Sequence, residues 1–247
     1  MIHILGLCCG LFNPTVRISS GRQVVLQGRG PPVVFATGLF GSVSRRCYTQ
    51  LIAELANNLT VVSMNDIGTL CTKDVEDIAD SLEVSSVGFF SHSSFDKTIL
   101  MSKRVNRAFL CDPITPPYTN NVVPDTQYGV SCPTYIIQAE KAYLAKLPIP
   151  KYFALEMDNI QETYVGVGHT DILDDTWADI CKQIGFWEVA DVQNKRAFED
   201  WTLDDFQRSN PEQTTRRVRQ TYRTHLAKSA IDFFTVPNML TTFSYYG

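Results

Sequence analysis

The chain has no large excess of charge of either sign, no CxxC pair, no His/Cys spacing suited to zinc, and no apolar run long enough to span a bilayer. Its 247 residues carry 22 Lys and Arg against 26 Asp and Glu, a net charge of −4. No field therefore draws it to nucleic acid or to an anionic membrane, and a small neutral or weakly charged ligand suits it better. The seven cysteines, Cys8, Cys9, Cys47, Cys71, Cys111, Cys132 and Cys181, are odd in number and lack paired spacing; they read as buried small apolar residues in a reducing compartment. The opening MIHILGLCCGLF lacks a basic n-region and an A-x-A cleavage site. It reads as a buried strand or packed terminus, and the protein as cytoplasmic. There is no internal repeat or low-complexity tract, and the length suits one large core.

What is present is an alternation of two periods. TVRIS and RQVVLQG flank Ser19, Ser20 and Gly21 in a hairpin pattern. PPVVFATGLFGS is a continuous apolar run closed by glycines, followed by RRCYTQLIAELANNL with Tyr48, Leu51, Ile52 and Leu55 at helical spacing. LTVVSM, KDVEDIADSL, SSVGFF, SFDKTILMSK and NRAFLCDPI then read as strand, helix, strand, helix, strand. TYIIQAE and ETYVGVG are further strands, and DILDDTWADICKQIGF is a helix with Ile172, Leu173, Trp177, Ile180 and Ile184 on one face. Apolar strands separated by helical segments of about ten residues make right-handed βαβ units, hence an α/β fold with a mostly parallel sheet covered on both faces.

The stretch from Pro113 to Pro133 is rich in proline and asparagine and reads as a surface loop. Residues 1–187 are expected to form the sheet domain, and 188–247 a helical extension packed on that core or on a partner. Within the extension, PEQTTRRVRQTYRTHLAKSAIDFF is a long helix with proline in its first turn. Its Arg216, Arg217, Arg219, Arg223 and Lys228 read as a solvated basic face, and as the candidate contact for a protein partner or a second copy. The aromatic end, Phe233, Phe234, Phe243, Tyr245 and Tyr246, reads as packing that tethers this tail.

In a parallel sheet, function gathers at the C-terminal ends of the strands, and three such ends carry chemistry. The turn Gly38-Leu39-Phe40-Gly41 presents backbone N–H groups. VGFFSHSSFD ends a strand at Ser93, where a strand-to-helix elbow would expose the hydroxyl and set the Ser94 N–H beside it at a helix N-terminus. His169 follows ETYVGVG. A serine hydroxyl needs a base to become nucleophilic, imidazole suits that task, and the imidazole needs a carboxylate to hold its tautomer. Both Asp112, ending RAFLCD, and Glu140, ending TYIIQAE, satisfy the chain order serine, acid, histidine. His92 reads as a packed, hydrogen-bonded residue. Asp171, Asp174 and Asp175 read as first-turn helix charges, not metal ligands.

Two pieces carry a family resemblance. CDPI and the eight residues GHTDILDD, Gly168 to Asp175, resemble the D-P-V and G-H-x-D-x-L-D-D of chlorophyllases and dienelactone-hydrolase-like proteins, and Pro31 to Ile184 as a whole resembles the α/β-hydrolase superfamily. The resemblance implies that Ser93 is the nucleophile, His169 the base and Asp112 the acid, with oxyanion donors at Leu39 and Ser94. It implies hydrolysis of a carboxylic ester without cofactor or metal; in chlorophyllases a long-chain alcohol is released. Leu39, Phe40 and Phe95 would then rim the site for an acyl or prenyl-like chain. The family's G-H-S-x-G-G reads Ser91-His92-Ser93-Ser94-Phe95-Asp96 here, and its His-Gly oxyanion pair reads Thr37-Gly38. The alternative is an inactive scaffold of the same fold used for binding or assembly, which is where lost glycines would be expected.

Overall fold

The computed structural model describes residues 14–94, 96–114, 132–139, 159–183 and 211–236. Eight strands form one sheet in the order β1-β2-β4-β3-β5-β6-β7-β8: β1 Thr15–Arg17, β2 Gln23–Gln27, β3 Pro32–Ala36, β4 Thr60–Met64, β5 Val87–Ser94, β6 Val105–Ile114, β7 Thr134–Ala139 and β8 Asn159–Tyr164. The hairpin β1–β2 and the β2–β4 pair are antiparallel; every other pairing is parallel. The helices are α1 Gly38–Gly41, α2 Thr49–Leu55, α3 Thr72–Ser81, α4 Asp175–Gln183 and α5 Pro211–Thr235. Among the described residues, no helix is long and apolar enough to cross a membrane.

The strands alternate their side chains between two cores because side chains on a strand point to opposite faces. On one face Phe35, Phe90, Phe109 and Tyr135 stack across β3, β5, β6 and β7, with successive ring centroids 4.9, 5.3 and 4.7 Å apart. Each such pair contributes about 0.5–1.5 kcal/mol beyond its burial. Leu51, Ile52 and Leu55 of α2 and Val218, Tyr222, Leu226 and Phe233 of α5 close this face. On the other face Val34, Val62, Phe89, Leu110 and Ile136 pack against Val75, Ile78 and Ala79 of α3.

Three sequence expectations need correction. SFDKTILMSK forms no α-helix but one 3-10 turn, Lys97–Met101, capped by the Asp96 carboxylate on Thr98 N–H at 3.0 Å. Only Ile99 and Leu100 of that turn are buried, so two apolar anchors do not sustain a helix. The segment after His169 is likewise divided, a 3-10 turn His169–Ile172 and then α4; Ile172 and Leu173 are buried, whereas Trp177 and Ile180 are exposed. The basic face of α5 is not uniformly solvated either. Arg219 and Arg223 are fully buried, because the helix lays that side on the aspartates around residues 171 to 179, while Arg216 is half exposed.

Ser91 shows what the altered elbow costs. It stands in β5 where the resembling family has glycine, is wholly buried, and its hydroxyl has no hydrogen-bond partner. An unpaired buried hydroxyl costs about 1–3 kcal/mol. Ser91→Ala is therefore expected to raise stability by about 1 kcal/mol, read as a higher urea midpoint with an unchanged slope.

Candidate active site

Ser93, the last residue but one of β5, is in the left-handed region, φ +65°, a conformation that costs a non-glycine residue energy and persists only where its surroundings enforce it. The enforcing feature is a bulge between β5 and β6. His92 pairs with Cys111 and Ser94 with Ile114, so Ser93 alone faces the pair Asp112 and Pro113. Asp112 is also left-handed, φ +44°. A bulge turns side chains away from the pleat direction, and here it turns both a serine and an aspartate toward the sheet end.

Asp112 is buried and both of its oxygens are engaged. Oδ1 accepts the Ala139 N–H at 2.7 Å, and Oδ2 lies 3.3 Å from Nδ1 of His169, itself buried. Ser93, His169 and His92 share the wall of one cavity of about 380 Å³. Two thiols line it as well. Burial, with the nearby Asp174 carboxylate, pushes the Cys47 thiol up to about 11, and burial raises Cys181, so neither competes as a thiolate nucleophile.

The loop that carries His169 is held from three directions. Asp171 accepts the Gly168 N–H at 2.7 Å on one oxygen and Arg219 Nε at 3.0 Å on the other. The Asp174 carboxylate accepts the N–H groups of Thr49 and Gln50, both at 2.9 Å, which caps the N-terminus of α2. Asp175 pairs with Arg223 Nη2 at 3.1 Å, while Arg223 Nη1 donates to the Leu173 carbonyl at 2.7 Å. These aspartates thus join separate elements, where the sequence suggested only favourable charge at the start of one helix.

No protein-family model and no curated protein sequence matches the chain. Solved structures do. The carboxylesterase CesB of Bacillus subtilis superposes with a TM-score of 0.50 at 12% identity, over 71% of this chain and 92% of that one. An epoxide hydrolase from metagenomes of hot environments gives a TM-score of 0.50 at 12% identity, over 72% and 97%. The chain has the α/β-hydrolase fold.

On that hydrolase fold Ser93, Asp112 and His169 come together at the C-terminal ends of the parallel strands. Asp112 is beside His169; the alternative acid, Glu140, lies outside the described residues, as do Phe95, Ile184, Cys8, Cys9, Phe243, Tyr245, Tyr246 and most of the loop from Pro113 to Pro133. Leu39 and Phe40 belong to α1 beside the site. Ser94 does not sit at a helix N-terminus as expected, since it continues β5 and pairs with Ile114. No helix dipole therefore stands behind its N–H.

Sequence reasoning missed Tyr48, whose hydroxyl meets both Gly38 N–H at 3.1 Å and His92 Nδ1 at 2.8 Å. It also missed the apolar lining of the hydrolase-fold cavity by Ile67, Leu173, Trp177 and Ile180. Three of these four, Ile67, Trp177 and Ile180, are among the exposed large apolar residues. The only prior signal for Tyr48 was its helical spacing with Leu51 and Leu55, which also describes any core residue. The cluster His92, Asp112 and His169 brings possible metal-binding atoms within 4.8 Å of one another. As a metal site it fits poorly: His92 Nδ1 faces the Tyr48 hydroxyl and its Nε2 the His169 carbonyl, leaving no lone pair for an ion.

Proposed function

We propose that the protein is a serine hydrolase acting on neutral, lipophilic carboxylic esters. The observation that carries this reading is the left-handed Ser93 near the C-terminal end of β5, on the same cavity wall as a buried His169 whose Nδ1 is turned to Asp112. Ser93 Oγ attacks the ester carbonyl while His169 takes its proton on Nε2, and Asp112 holds the imidazole tautomer and stabilises the imidazolium. The alkoxide leaves with that proton. Water, deprotonated by the same histidine, then attacks the acyl carbon; the bond to Ser93 Oγ breaks, His169 returns the proton to Ser93, and the acid is released. The Leu39 and Ser94 backbone N–H groups are the proposed donors to the tetrahedral oxyanion. Gly38 is not one of them, since its N–H is committed to Tyr48.

The substrate class follows from the lining. The described residues around the cavity include no Asp, Glu, Lys or Arg, and Ile67, Leu173, Trp177 and Ile180 make one side of it apolar. A carboxylate or phosphate on the substrate would enter without a counter-ion, which is costly, whereas an alkyl or prenyl-like chain would be desolvated favourably. Chlorophyllase-like release of a long-chain alcohol is one reaction within this class.

A second reading, a binding scaffold without catalysis, is favoured by the 3-10 turn Lys97–Met101 in place of an α-helix after β5. A fluorophosphonate probe separates the two. The hydrolase reading expects one probe per chain on Ser93, lost in Ser93→Ala; a folded wild-type chain that takes up no probe favours the scaffold.

A further inference from the structure

We propose that Tyr48 and His92 are positioning residues that lock the turn at Gly38 to the loop bearing His169 through one directional chain of hydrogen bonds, with His92 neutral and protonated on Nε2. The proposal rests on the serine-hydrolase reading and adds to it a device that keeps the oxyanion turn and the base in register.

The direction of the chain follows from its fixed ends. The Gly38 N–H can only donate, so the Tyr48 oxygen accepts it, at 3.1 Å. At the other end the His169 carbonyl can only accept, so Nε2 of His92 must carry a proton, and in the neutral ring Nδ1, 2.8 Å from the Tyr48 hydroxyl, accepts the phenol proton. Nε2 donates its own proton to the His169 carbonyl at 3.1 Å. A second proton on His92 would put an N–H against the phenol and leave the phenol proton without an acceptor. Tyr48 from the 3-10 turn Arg45–Tyr48, Asp112 from β6 and His169 face this imidazole. Burial, reinforced by the adjacent His169, holds His92 well below its ordinary value, in agreement with the neutral ring.

The chain joins the two parts whose relative placement sets the chemistry. At one end the Gly38 peptide leads directly into Leu39, the proposed oxyanion donor. At the other the carbonyl belongs to His169 itself, so anchoring it fixes the backbone from which the base reaches Asp112. The middle is packed as well as bonded: the His92 and His169 rings lie 4.4 Å apart, and the Tyr48 and His92 rings meet edge-on at 5.7 Å. Gly38 has no spare room. A Cβ there would stand 3.2 Å from the Tyr48 hydroxyl, 3.3 Å from His92 Nδ1 and 3.3 Å from Ser93 Cβ. A displacement of about 1 Å in such a constellation can cost about a hundredfold in rate, which is why the placement set by these two side chains matters.

The test compares fluorophosphonate labelling of full-length wild type, Tyr48→Phe, His92→Gln, His92→Ala and the double variant Tyr48→Phe/His92→Ala. Tyr48→Phe is expected to slow the maximal labelling rate by about ten- to a hundredfold with the half-saturating probe concentration unchanged. His92→Gln, whose amide N–H can still reach the His169 carbonyl, should keep more activity than His92→Ala. The double variant should be no slower than the slower single one, because one chain broken twice is still one broken chain. Nitrogen-15 spectra of the wild type should show His92 as a fixed Nε2–H tautomer that does not titrate between about pH 5 and 8. A labelled wild type with Tyr48→Phe at the same rate, additive losses in the double variant, or a His92 that titrates normally would overturn the proposal alone. A wild type that does not label overturns the hydrolase reading, and the catalytic half of this proposal with it.

Discussion

Asp112→Asn is expected to lower ester hydrolysis and Ser93 labelling by about 10⁴-fold while leaving the fold intact. The reason lies in the two contacts of the carboxylate. Oδ1 accepts the Ala139 N–H, and an asparagine will keep its carbonyl oxygen there, since the alternative sets two donors against each other. The amide nitrogen then faces His169 Nδ1 as a donor, at the position where Oδ2 now accepts. His169 is driven into the tautomer protonated on Nε2, the atom that must take the serine proton, so the base is occupied before the reaction starts. Glu140→Gln is the control, expected to leave the rate essentially unchanged. Steady-state rates on a neutral long-chain ester, with thermal melting to confirm folding, check both. A large loss in the glutamine variant with little in the asparagine variant would reassign the acid.

Arg219→Met should destabilise the protein by about 3–5 kcal/mol, the usual result of removing one partner from a buried ionic cluster. Arg219 is fully buried and donates to Asp171, also fully buried, and to Asp179 at 2.6 Å. Those two carboxylates hold its charge against the cost of burial. Methionine fills much of the volume but removes the guanidinium that Asp171 and Asp179 face beneath α5. The cluster is imperfect even in the native chain, since Nη2 of Arg219 and Nε of Arg223 have no hydrogen-bond partner among the described residues. Adding Asp171→Asn to Arg219→Met should therefore recover part of the loss, because one of the two carboxylate charges that faced the guanidinium is removed with it. Urea unfolding of the three proteins measures this directly. Activity should fall as well, because Asp171 also holds the Gly168 N–H one residue before the base. Equal stability of Arg219→Met and wild type would show that the cluster contributes nothing net.

The elements that were legible had strong periodic signals. β3, β4, β5, β6 and β7 read correctly as continuous apolar runs because each is buried on both faces, and the residues at their C-terminal ends followed from the rule for parallel sheets. GHTDILDD was legible as a unit, yet the work of its aspartates was not: their partners, Thr49, Gln50, Arg219 and Arg223, stand more than forty residues away in every case. The arginines of α5 misled for the same reason, since a solvated and a buried guanidinium look alike in a sequence. SFDKTILMSK misled through local propensity, because the two buried anchors it supplies hold only one turn.

The amino-acid sequence by itself determined the class of the sheet and put a serine, a carboxylate and a histidine at three strand ends in a workable order, because strand period and burial are local properties. Only the tertiary structure decided that a β5–β6 bulge turns Ser93 and Asp112 the same way, that Asp112 faces His169, and that Tyr48 and His92 tie the site together. It also decided that α5 is part of the support of the His169 loop. Those outcomes depend on register, on which side chains face each other across long separations, and on the direction of hydrogen bonds, none of which a one-dimensional pattern contains.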